Sequence, residues 1–206
     1  MQTDKMLSQT SKMPCPSISL DAEWCNTGSK LAKKKGTVCF DCYAKKGFYR
    51  MPNVKKAMER RWNFFYSKEF IPEMVKKLIP YNLFRWFDAG DMQSVNMGLD
   101  ILEIAEKTPW CRHWIPSKEY LWWREILVKK ELPFNVTLRI STPKHDNKPI
   151  KGFSHTSTTY SSKSSEAFVG FNCPAHIHKK DYGKYECGNC NACWNKEISN
   201  IAYPIK

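Results

Sequence analysis

The sequence predicts an α/β fold, namely a partial (incomplete) β/α barrel with a parallel sheet and a C-terminal cysteine-rich metal-binding loop. Short apolar stretches of strand character alternate with amphipathic helical stretches, and this alternation is typical of βαβ units. The chain has 206 residues, fewer than the about 250 that a complete eightfold barrel uses. Four of its nine cysteines follow residue 172, which is why the metal-binding loop is predicted there.

The individual elements follow from the spacing of apolar residues. Between 53 and 70, the residues Val54, Met58 and Trp62 recur at the interval of one helix face. The run 83–87 is short and aromatic, as expected of a buried strand. The predicted strands are 14–20, 83–87, 110–115, 135–140 and 168–171. The predicted helices are 53–70, 72–79, 94–107 and 120–130. Two stretches are predicted to lack regular structure, namely a cysteine-containing loop at 21–49 and a polar stretch at 142–166.

These elements divide the chain into three parts. Residues 1–13 are polar and are predicted to be a flexible tail. Residues 14–171 form the partial barrel and carry the N-terminal cysteine loop. Residues 172–206 form the C-terminal cysteine-rich segment.

The composition argues against a membrane-spanning protein and favours a polyanionic partner. No apolar run reaches the about 18 residues that a bilayer span requires, and the N-terminus lacks the apolar core of a secretory signal. We therefore expect a cytoplasmic protein, in which clustered cysteines hold metals more often than they form disulfides. The formal net charge of +13 makes nucleic acid a candidate partner, and the alternative is a merely soluble basic protein.

The strongest motif is a run of three cysteines near the C-terminus, each separated from the next by two residues. Such a run is typical of the ligation of a 4Fe–4S cluster, whereas zinc usually takes two separate Cys-x₂-Cys pairs. We predict an iron–sulfur cluster here, with zinc as the alternative, and either would tie the C-terminal segment to the sheet. His176 and His178 lie between these cysteines and are candidate substitute ligands or surface residues. The four predicted ligands are Cys173, Cys187, Cys190 and Cys193.

A second set of cysteines lies in the N-terminal loop. Cys25 is separated by thirteen residues from Cys39, which is separated by two residues from Cys42. A 4Fe–4S cluster held by three thiolates leaves one iron open to another ligand, as catalysis requires. Cys15 could supply a fourth thiolate and close the site, so the sequence leaves both arrangements open.

Polar residues follow three of the predicted strands. In open α/β sheets, ligands bind beyond the carboxyl ends of the strands, so these residues are candidates for contacts with a substrate or cofactor. The alternatives are a helix N-cap formed by Asp91 or Ser94, and ordinary loop positions for the others. The candidate catalytic residues are Asp88 and Asp91, and the candidate cofactor-binding residues are Gly90, Ser117, Lys118, Arg139 and Ser141.

Four motifs together resemble the bacteriophage gene-product-88 family over about residues 14 to 194. They are Cys15-Pro16-Ser17, Cys39-Phe40-Asp41-Cys42-Tyr43-Ala44-Lys45-Lys46-Gly47, Phe87-Asp88-Ala89-Gly90-Asp91, and Cys173-Pro174-Ala175 with Cys187-Gly188-Asn189-Cys190-Asn191-Ala192-Cys193-Trp194. This resemblance implies a phage origin, and hence the cytoplasm of the host cell.

The Cys-x₂-Cys-Tyr-Ala element at Cys39 also resembles the cluster loop of radical S-adenosylmethionine proteins. In those proteins three cysteines hold a 4Fe–4S cluster, and S-adenosylmethionine binds its fourth iron. The resemblance implies that Cys25, Cys39 and Cys42 are the cluster ligands. It also implies that Gly90 and Asp91 occupy the place of the motif that binds the methionine amine.

The sequence leaves two functions open. The first is a radical S-adenosylmethionine-like enzyme that acts on nucleic acid or a nucleotide, with a second, auxiliary cluster at the C-terminal cysteines. The alternative is a non-catalytic module, held together by zinc or a cluster, that binds nucleic acid or a host protein.

Overall fold

One eight-stranded sheet organises the described part of the protein. The structure is a computed structural model and describes residues 6–175, 183 and 186–205. The strands are β1 (Ser8–Gln9), β2 (Pro16–Ile18), β3 (Leu83–Trp86), β4 (Arg112–Ser117), β5 (Val136–Ser141), β6 (Thr156–Tyr160), β7 (Phe171–Asn172) and β8 (Asn200–Pro204). The helices are α1 (Asn26–Leu31), α2 (Pro52–Phe65), α3 (Phe70–Leu78), α4 (Val95–Lys107) and α5 (Tyr120–Lys129).

The strands follow one another across the sheet almost in chain order. The order is β1-β2-β3-β4-β5-β6-β8-β7, and among the described strands only β1 runs antiparallel to its neighbour. The helices α2 and α3 connect β2 to β3, α4 connects β3 to β4, and α5 connects β4 to β5. The fold is therefore mixed α/β with a mostly parallel sheet, as predicted.

The two faces of the sheet have different roles. Side chains alternate between the faces along a strand, so Phe84 and Trp86 point one way and Arg85 points the other. Phe84 and Trp86 belong to the main hydrophobic core, which the helices cover. On the opposite face, Trp114 packs edge-on against Trp194, with ring centroids 5.2 Å apart. The C-terminal cysteine segment therefore lies on the face opposite the helices.

The helices form where their apolar residues line one face. In α4, Ser94 is the N-cap and its hydroxyl accepts a hydrogen bond from the Met97 amide at 3.1 Å, as one of the sequence alternatives predicted. In α2, Pro52 occupies the first turn, where its fixed φ and missing N–H are tolerated. The single helix predicted at 53–70 ends at Phe65, and α3 begins at Phe70.

The polar stretch predicted to lack regular structure at 142–166 contains the strand β6, so that prediction was wrong. Threonine favours strands, and here its hydroxyls have partners inside the protein. Thr156 Oγ1 donates to Asn200 Oδ1 at 2.8 Å, and Thr158 Oγ1 donates to the Ala167 carbonyl at 2.6 Å. A polar sequence can be buried when every hydroxyl is hydrogen-bonded, and residue hydrophobicity does not show this.

The two terminal segments also contribute strands. Within the tail predicted at 1–13, Ser8 and Gln9 pair with β2. The segment from residue 172 onward supplies β8, which lies between β6 and β7. The C-terminal segment is therefore built into the sheet of the preceding part. None of the described helices is both long and apolar enough to cross a bilayer.

We expect His113 in β4 to make the protein sensitive to acid. Its side chain is fully buried, Nδ1 accepts from Trp86 Nε1 at 3.2 Å, and Nε2 lies 2.9 Å from Thr108 Oγ1. Thr108 Oγ1 donates to the Ile104 carbonyl, so Nε2 carries the histidine proton. A second proton on Nδ1 would face the Trp86 N–H, and burial lowers the pKa of His113 from 6.5 to about 3.

The stability that depends on neutral His113 is fully present above pH 6.5, the pKa of histidine in the unfolded chain, and it is lost as the pH falls from 6.5 toward 3. Between pH 7 and pH 5 this residue should lower the free energy of unfolding by about 2 kcal/mol. Urea denaturation should find that the change in the free energy of unfolding from pH 7 to pH 5 is more unfavourable by about 2 kcal/mol in the natural protein and in His145→Gln than in His113→Gln. The comparison is between proteins because the raised pKa of Asp91 acts in the opposite direction in all three. An equal decrease in all three proteins would contradict the prediction.

Candidate metal centres

The thirteen residues between Cys25 and Cys39 fold back on themselves and bring the two thiols together. Cys25 is the N-cap of the short helix α1, and the chain returns through a turn to Cys39. A Cβ atom built on Gly28 would lie 3.5 Å from the Cys25 Sγ and 3.8 Å from the Cys39 Sγ. Both sulfurs therefore border the same small space, which Gly28 leaves free. The helix α1 accounts for six of the residues between Cys25 and Cys39.

Cys42 joins the same group. Burial raises the pKa of the Cys25 thiol. The Asp91 carboxylate raises this pKa further, and Cys42 and Cys39 add smaller increases. Burial likewise raises the pKa of Cys39, the Lys118 ammonium opposes this rise, and Cys42 adds to it. These mutual influences require the three sulfurs to lie near one another. Cys25, Cys39 and Cys42 therefore lie in one region of the structure, where Cys25 and Cys42 pack against the hydrophobic cluster of Ala22, Ala44, Met58 and Ala89, but their arrangement is not one that would hold a metal ion as it stands.

Glu119 attaches this cysteine loop to the end of β4. Its carboxylate is buried and accepts hydrogen bonds from the Thr27 amide at 2.7 Å, the Thr27 hydroxyl at 2.7 Å and the Asn26 side chain at 3.2 Å. These donors lie at the start of α1, next to Cys25. A second attachment joins the Val38 amide to the Pro143 carbonyl beyond β5, at 3.0 Å.

Asp91 lies beside the thiols and is held by protein donors. Oδ1 accepts from the Ser117 hydroxyl at 2.8 Å and the Met92 amide at 2.9 Å, and Oδ2 accepts from the Lys118 amide at 2.7 Å. Burial raises the pKa of Asp91 to about 6, against the effect of these hydrogen bonds. Three of the predicted site residues, Asp91, Ser117 and Lys118, therefore meet next to the N-terminal cysteines and join the ends of β3 and β4.

Asp88 and Gly90 lie in the tight turn after β3. Phe87, which precedes them, has φ of 51°, a left-handed conformation that a bulky residue rarely adopts. Asp88 Oδ1 accepts from the Ser17 hydroxyl at 2.7 Å, and its carbonyl accepts from the Tyr43 hydroxyl. Gly90 has φ of 78°, and a Cβ there would lie 2.6 Å from the Leu20 carbonyl. The space that Gly90 was predicted to give a ligand is occupied by the backbone after β2.

Arg139 and Ser141, predicted to bind a cofactor, both have partners inside the protein. Ser141 Oγ accepts from the Ser157 hydroxyl at 2.9 Å and so joins β5 to β6. Arg139 is fully buried, and its side-chain nitrogens all donate to backbone carbonyls of the C-terminal cysteine segment. Four of its five N–H donors are therefore used within the protein. The four carbonyls belong to Ala192, Cys193, Asn195 and Ile198, at 2.8–3.1 Å.

The four C-terminal cysteines line one pocket on the face of the sheet opposite the helices. Its cavity volume is about 20 Å³, and its described lining is otherwise aliphatic or aromatic. Cys193 Sγ lies 3.3 Å from the Tyr203 hydroxyl of β8. The Trp194 indole donates to the Phe84 carbonyl at 2.9 Å, which fixes the loop against β3. The predicted set Cys173, Cys187, Cys190 and Cys193 is therefore gathered around a single space.

Cys15 belongs with this second set and not with the first. It packs with Trp114, Trp194 and Cys193. Burial raises its pKa to about 12, Arg85 opposes this rise, and Cys187 and Cys193 are among the groups that add to it. The alternative in which Cys15 closes the N-terminal site is therefore not realised. All nine cysteines are free thiols, and Cys111 is fully buried in the core, as expected.

Two residues of the N-terminal site escaped the sequence reasoning. Gly28 lies within a helix, where its only sequence signal is a lower helix propensity. Glu119 follows the predicted residues Ser117 and Lys118, and only its position beyond the end of β4 could have indicated it. His176 and His178, considered as ligands, lie outside the described residues. Within residues 6–175, 183 and 186–205, no group of three or more His, Cys, Asp or Glu side chains has the arrangement required to hold a metal ion.

Comparison with known proteins yields one match. A family model described as gene product 88 matches residues 2–196, nearly the whole chain. No curated protein and no solved structure matches.

Proposed function

The chain belongs to the phage gene product 88 family, and we propose that it is an iron–sulfur protein with radical S-adenosylmethionine-like activity. One observation carries the proposal. Three thiols, and not four, lie near the turn that follows β3: Cys25 and Cys39 border the space beside Gly28, and Cys42 packs with Cys25 against the hydrophobic cluster that contains Ala89. The loops beyond β3 and β4 supply buried polar groups there. A cluster on three thiolates keeps one iron available for a further ligand.

The surroundings of these thiols fit a bulky inorganic group. Gly28 has no side chain at the point where one would fill the space beside Cys25 and Cys39. Cys15, the remaining candidate for a fourth thiolate, lies with the other cysteine set. The sheet also supports the proposal, because β2 to β6 follow one another in chain order and in parallel, as in a partial β/α barrel.

We assign the following roles to the residues of this site. Cys25, Cys39 and Cys42 would hold the cluster, which with S-adenosylmethionine supplies a one-electron cleavage of the sulfonium. The Lys118 ammonium, which influences two of the thiols, would bind the methionine carboxylate. Asp91 and Ser117 would act by fixing the loop that carries Lys118. Asp88 stays a candidate catalytic carboxylate at the adjoining turn.

The C-terminal cysteines would form an auxiliary centre. Cys173, Cys187, Cys190 and Cys193 border one pocket whose other described lining residues are uncharged, and Arg139 holds their loop on the sheet. A second 4Fe–4S cluster would fit this set, and zinc is the alternative. Its role in either case is structural or in electron transfer.

The proposal is tested by anaerobic reconstitution with iron and sulfide, followed by incubation with dithionite and S-adenosylmethionine. We expect a brown protein that forms 5′-deoxyadenosine, and Cys39→Ala should form none. Product at the level of Cys39→Ala would refute the enzymatic proposal. Iron content and the visible spectrum provide readouts that do not depend on activity.

Gly28→Ala tests the site without removing a thiol. The added methyl group would lie 2.9 Å from the Cys25 Cβ and would intrude on the space between two sulfurs. We expect iron binding at the N-terminal site to fall several-fold, while the free energy of unfolding of the metal-free protein stays within about 1 kcal/mol, because alanine favours a helix. Unchanged iron content would count against a cluster at this site.

The net charge of +13 favours a second candidate function, a zinc-stabilised module that binds nucleic acid or a host protein. It predicts a colourless protein with stoichiometric zinc. A nucleic-acid version also predicts an affinity that falls steeply with salt.

A further inference from the structure

Basic residues surround the N-terminal cysteine site on its solvent side. The segment from residue 26 to residue 51, which we call the rim, contains seven lysines and arginines and one acidic residue, Asp41. Only Lys46 forms an ion pair with Asp41, and this pair is exposed and therefore weak. The other exposed cations of the rim have no ion-pair partner in the part of the chain that the structure describes, and they are Lys30, Lys33, Lys34, Lys35 and Arg50.

Large aromatic side chains are also exposed on the rim. Phe48 is 81% exposed, Tyr43 is 59% exposed and Phe40, which lies next to Cys39, is 45% exposed. Exposed aromatic residues on one short segment are costly in water and mark interaction surfaces. Tyr43 is held in place by its hydroxyl bond to the Asp88 carbonyl and by an edge contact with Tyr49, with ring centroids 5.8 Å apart.

The rim is held firmly at the edge of the candidate site. It contains Cys39 and Cys42, and Val38 is hydrogen-bonded to the Pro143 carbonyl. Thr37 pairs with Lys144, so a further exposed lysine lies beside the run Lys33, Lys34 and Lys35. Cations and aromatic rings are therefore presented together within a few residues of the thiols.

We propose that the rim binds single-stranded nucleic acid and presents it to the N-terminal cysteine site. Lysines neutralise phosphates, and each exposed ring offers a flat surface on which an unpaired base stacks. Paired bases are hidden inside a duplex, so this combination selects a single strand. The proposal rests on the proposed function, because it names the substrate class of that same site.

The test is fluorescence anisotropy with full-length protein and a labelled 12-nucleotide oligodeoxyuridylate, its duplex form and an oligouridylate of the same length. We expect the single strand to bind at least tenfold more tightly than the duplex. Phe48→Ala should weaken single-strand binding by about tenfold, since one stacked base contributes about 1–3 kcal/mol. A preference between the two single strands identifies the sugar that the protein selects, and either preference supports the proposal.

Charge is tested with a matched pair of triple variants. Replacing Lys33, Lys34 and Lys35 with Gln should lower the slope of log affinity against log salt by about 2, at about 0.7 per phosphate contact. Replacing Lys76, Lys107 and Lys129 with Gln removes the same charge from the ends of α3, α4 and α5 and should leave the slope unchanged. Val128→Ala, at an 88% exposed position on α5, is the control for Phe48→Ala.

Equal binding of duplex and single strand, or binding that neither rim variant weakens, would overturn the proposal. Retention of an acidic protein by the rim without any oligonucleotide binding would also overturn it. The binding assay needs neither iron nor S-adenosylmethionine, so Cys39→Ala protein should still bind the single strand. Absence of single-strand binding therefore refutes the proposal that the rim binds nucleic acid, whereas absence of 5′-deoxyadenosine refutes the enzymatic proposal.

Discussion

Replacing Arg139 with Met is expected to lower the free energy of unfolding by about 4 kcal/mol and to release the C-terminal cysteine loop. The guanidinium is fully buried on β5 and donates four hydrogen bonds to carbonyls of that loop. Hydrogen bonds to a charged group contribute about 1.5–3 kcal/mol each, and carbonyls left unpaired in the interior add to the loss. Urea denaturation followed by tryptophan fluorescence measures the effect.

Metal content separates this loss from a general failure to fold. After reconstitution of Arg139→Met, we expect the metal that we propose for the C-terminal site to be lost and the iron that we propose for the N-terminal site to be kept. Arg112→Met, which removes an exposed arginine from the first position of β4, is the matched control and should change the free energy of unfolding by less than about 1 kcal/mol. Full metal content at the C-terminal site in Arg139→Met would show that the loop does not depend on this residue.

Replacing Glu119 with Gln should prevent the N-terminal site from binding the iron that we propose for it. The carboxylate accepts three hydrogen bonds at the start of α1, two of them at 2.7 Å. Glutamine keeps the shape, but its amide nitrogen would face a donor, which costs roughly 2 kcal/mol at a buried position. Because these bonds hold α1 rather than the core, we expect the loop with Cys25 to open locally while the sheet stays folded.

Iron analysis and hydrogen exchange test this expectation together. Exchange of the α1 amides should accelerate in Glu119→Gln, whereas the amides of β3 to β5 should stay protected. Glu125→Gln removes an exposed carboxylate on α5 that pairs with Lys129 at 2.7 Å, and it should change neither measurement. Faster exchange throughout the sheet would mean that Glu119 supports the whole fold and not this loop.

Much of the fold follows from local patterns. The positions of β3, α4, α5 and β5 were predicted to within two residues at each end, because their apolar residues recur at the period of a strand or a helix. The strand β6 has no such pattern, since its Thr156 and Thr158 are buried through hydrogen bonds, one to Asn200, 44 residues further along the chain, and one to the Ala167 carbonyl. The strand β8 was not predicted, because its apolar run is only three residues long and ends at a proline.

Some contacts of the candidate site could be predicted from the sequence, and others could not. The residues Asp91, Ser117 and Lys118 follow strands that are neighbours in a parallel sheet, so their meeting could be foreseen from strand order alone. Arg139 lies near the carboxyl end of β5, so strand order alone also predicts it at this edge of the sheet. Its side chain, however, points to the face that carries the C-terminal segment. Which loop covers that face depends on a contact across 53 residues, and no local pattern encodes it.

By itself, the sequence determined the alternation of strands and helices and the presence of two cysteine sets with metal-ligand spacing, because both depend on residues close together in the chain. The tertiary structure alone decided that α1 folds Cys25 back onto Cys39 and that Cys15 lies with the second set. It also decided that the backbone at Leu20 fills the space beside Gly90. These outcomes depend on which segments pack against each other across the sheet, and such packing is selected by the free energy of the whole fold.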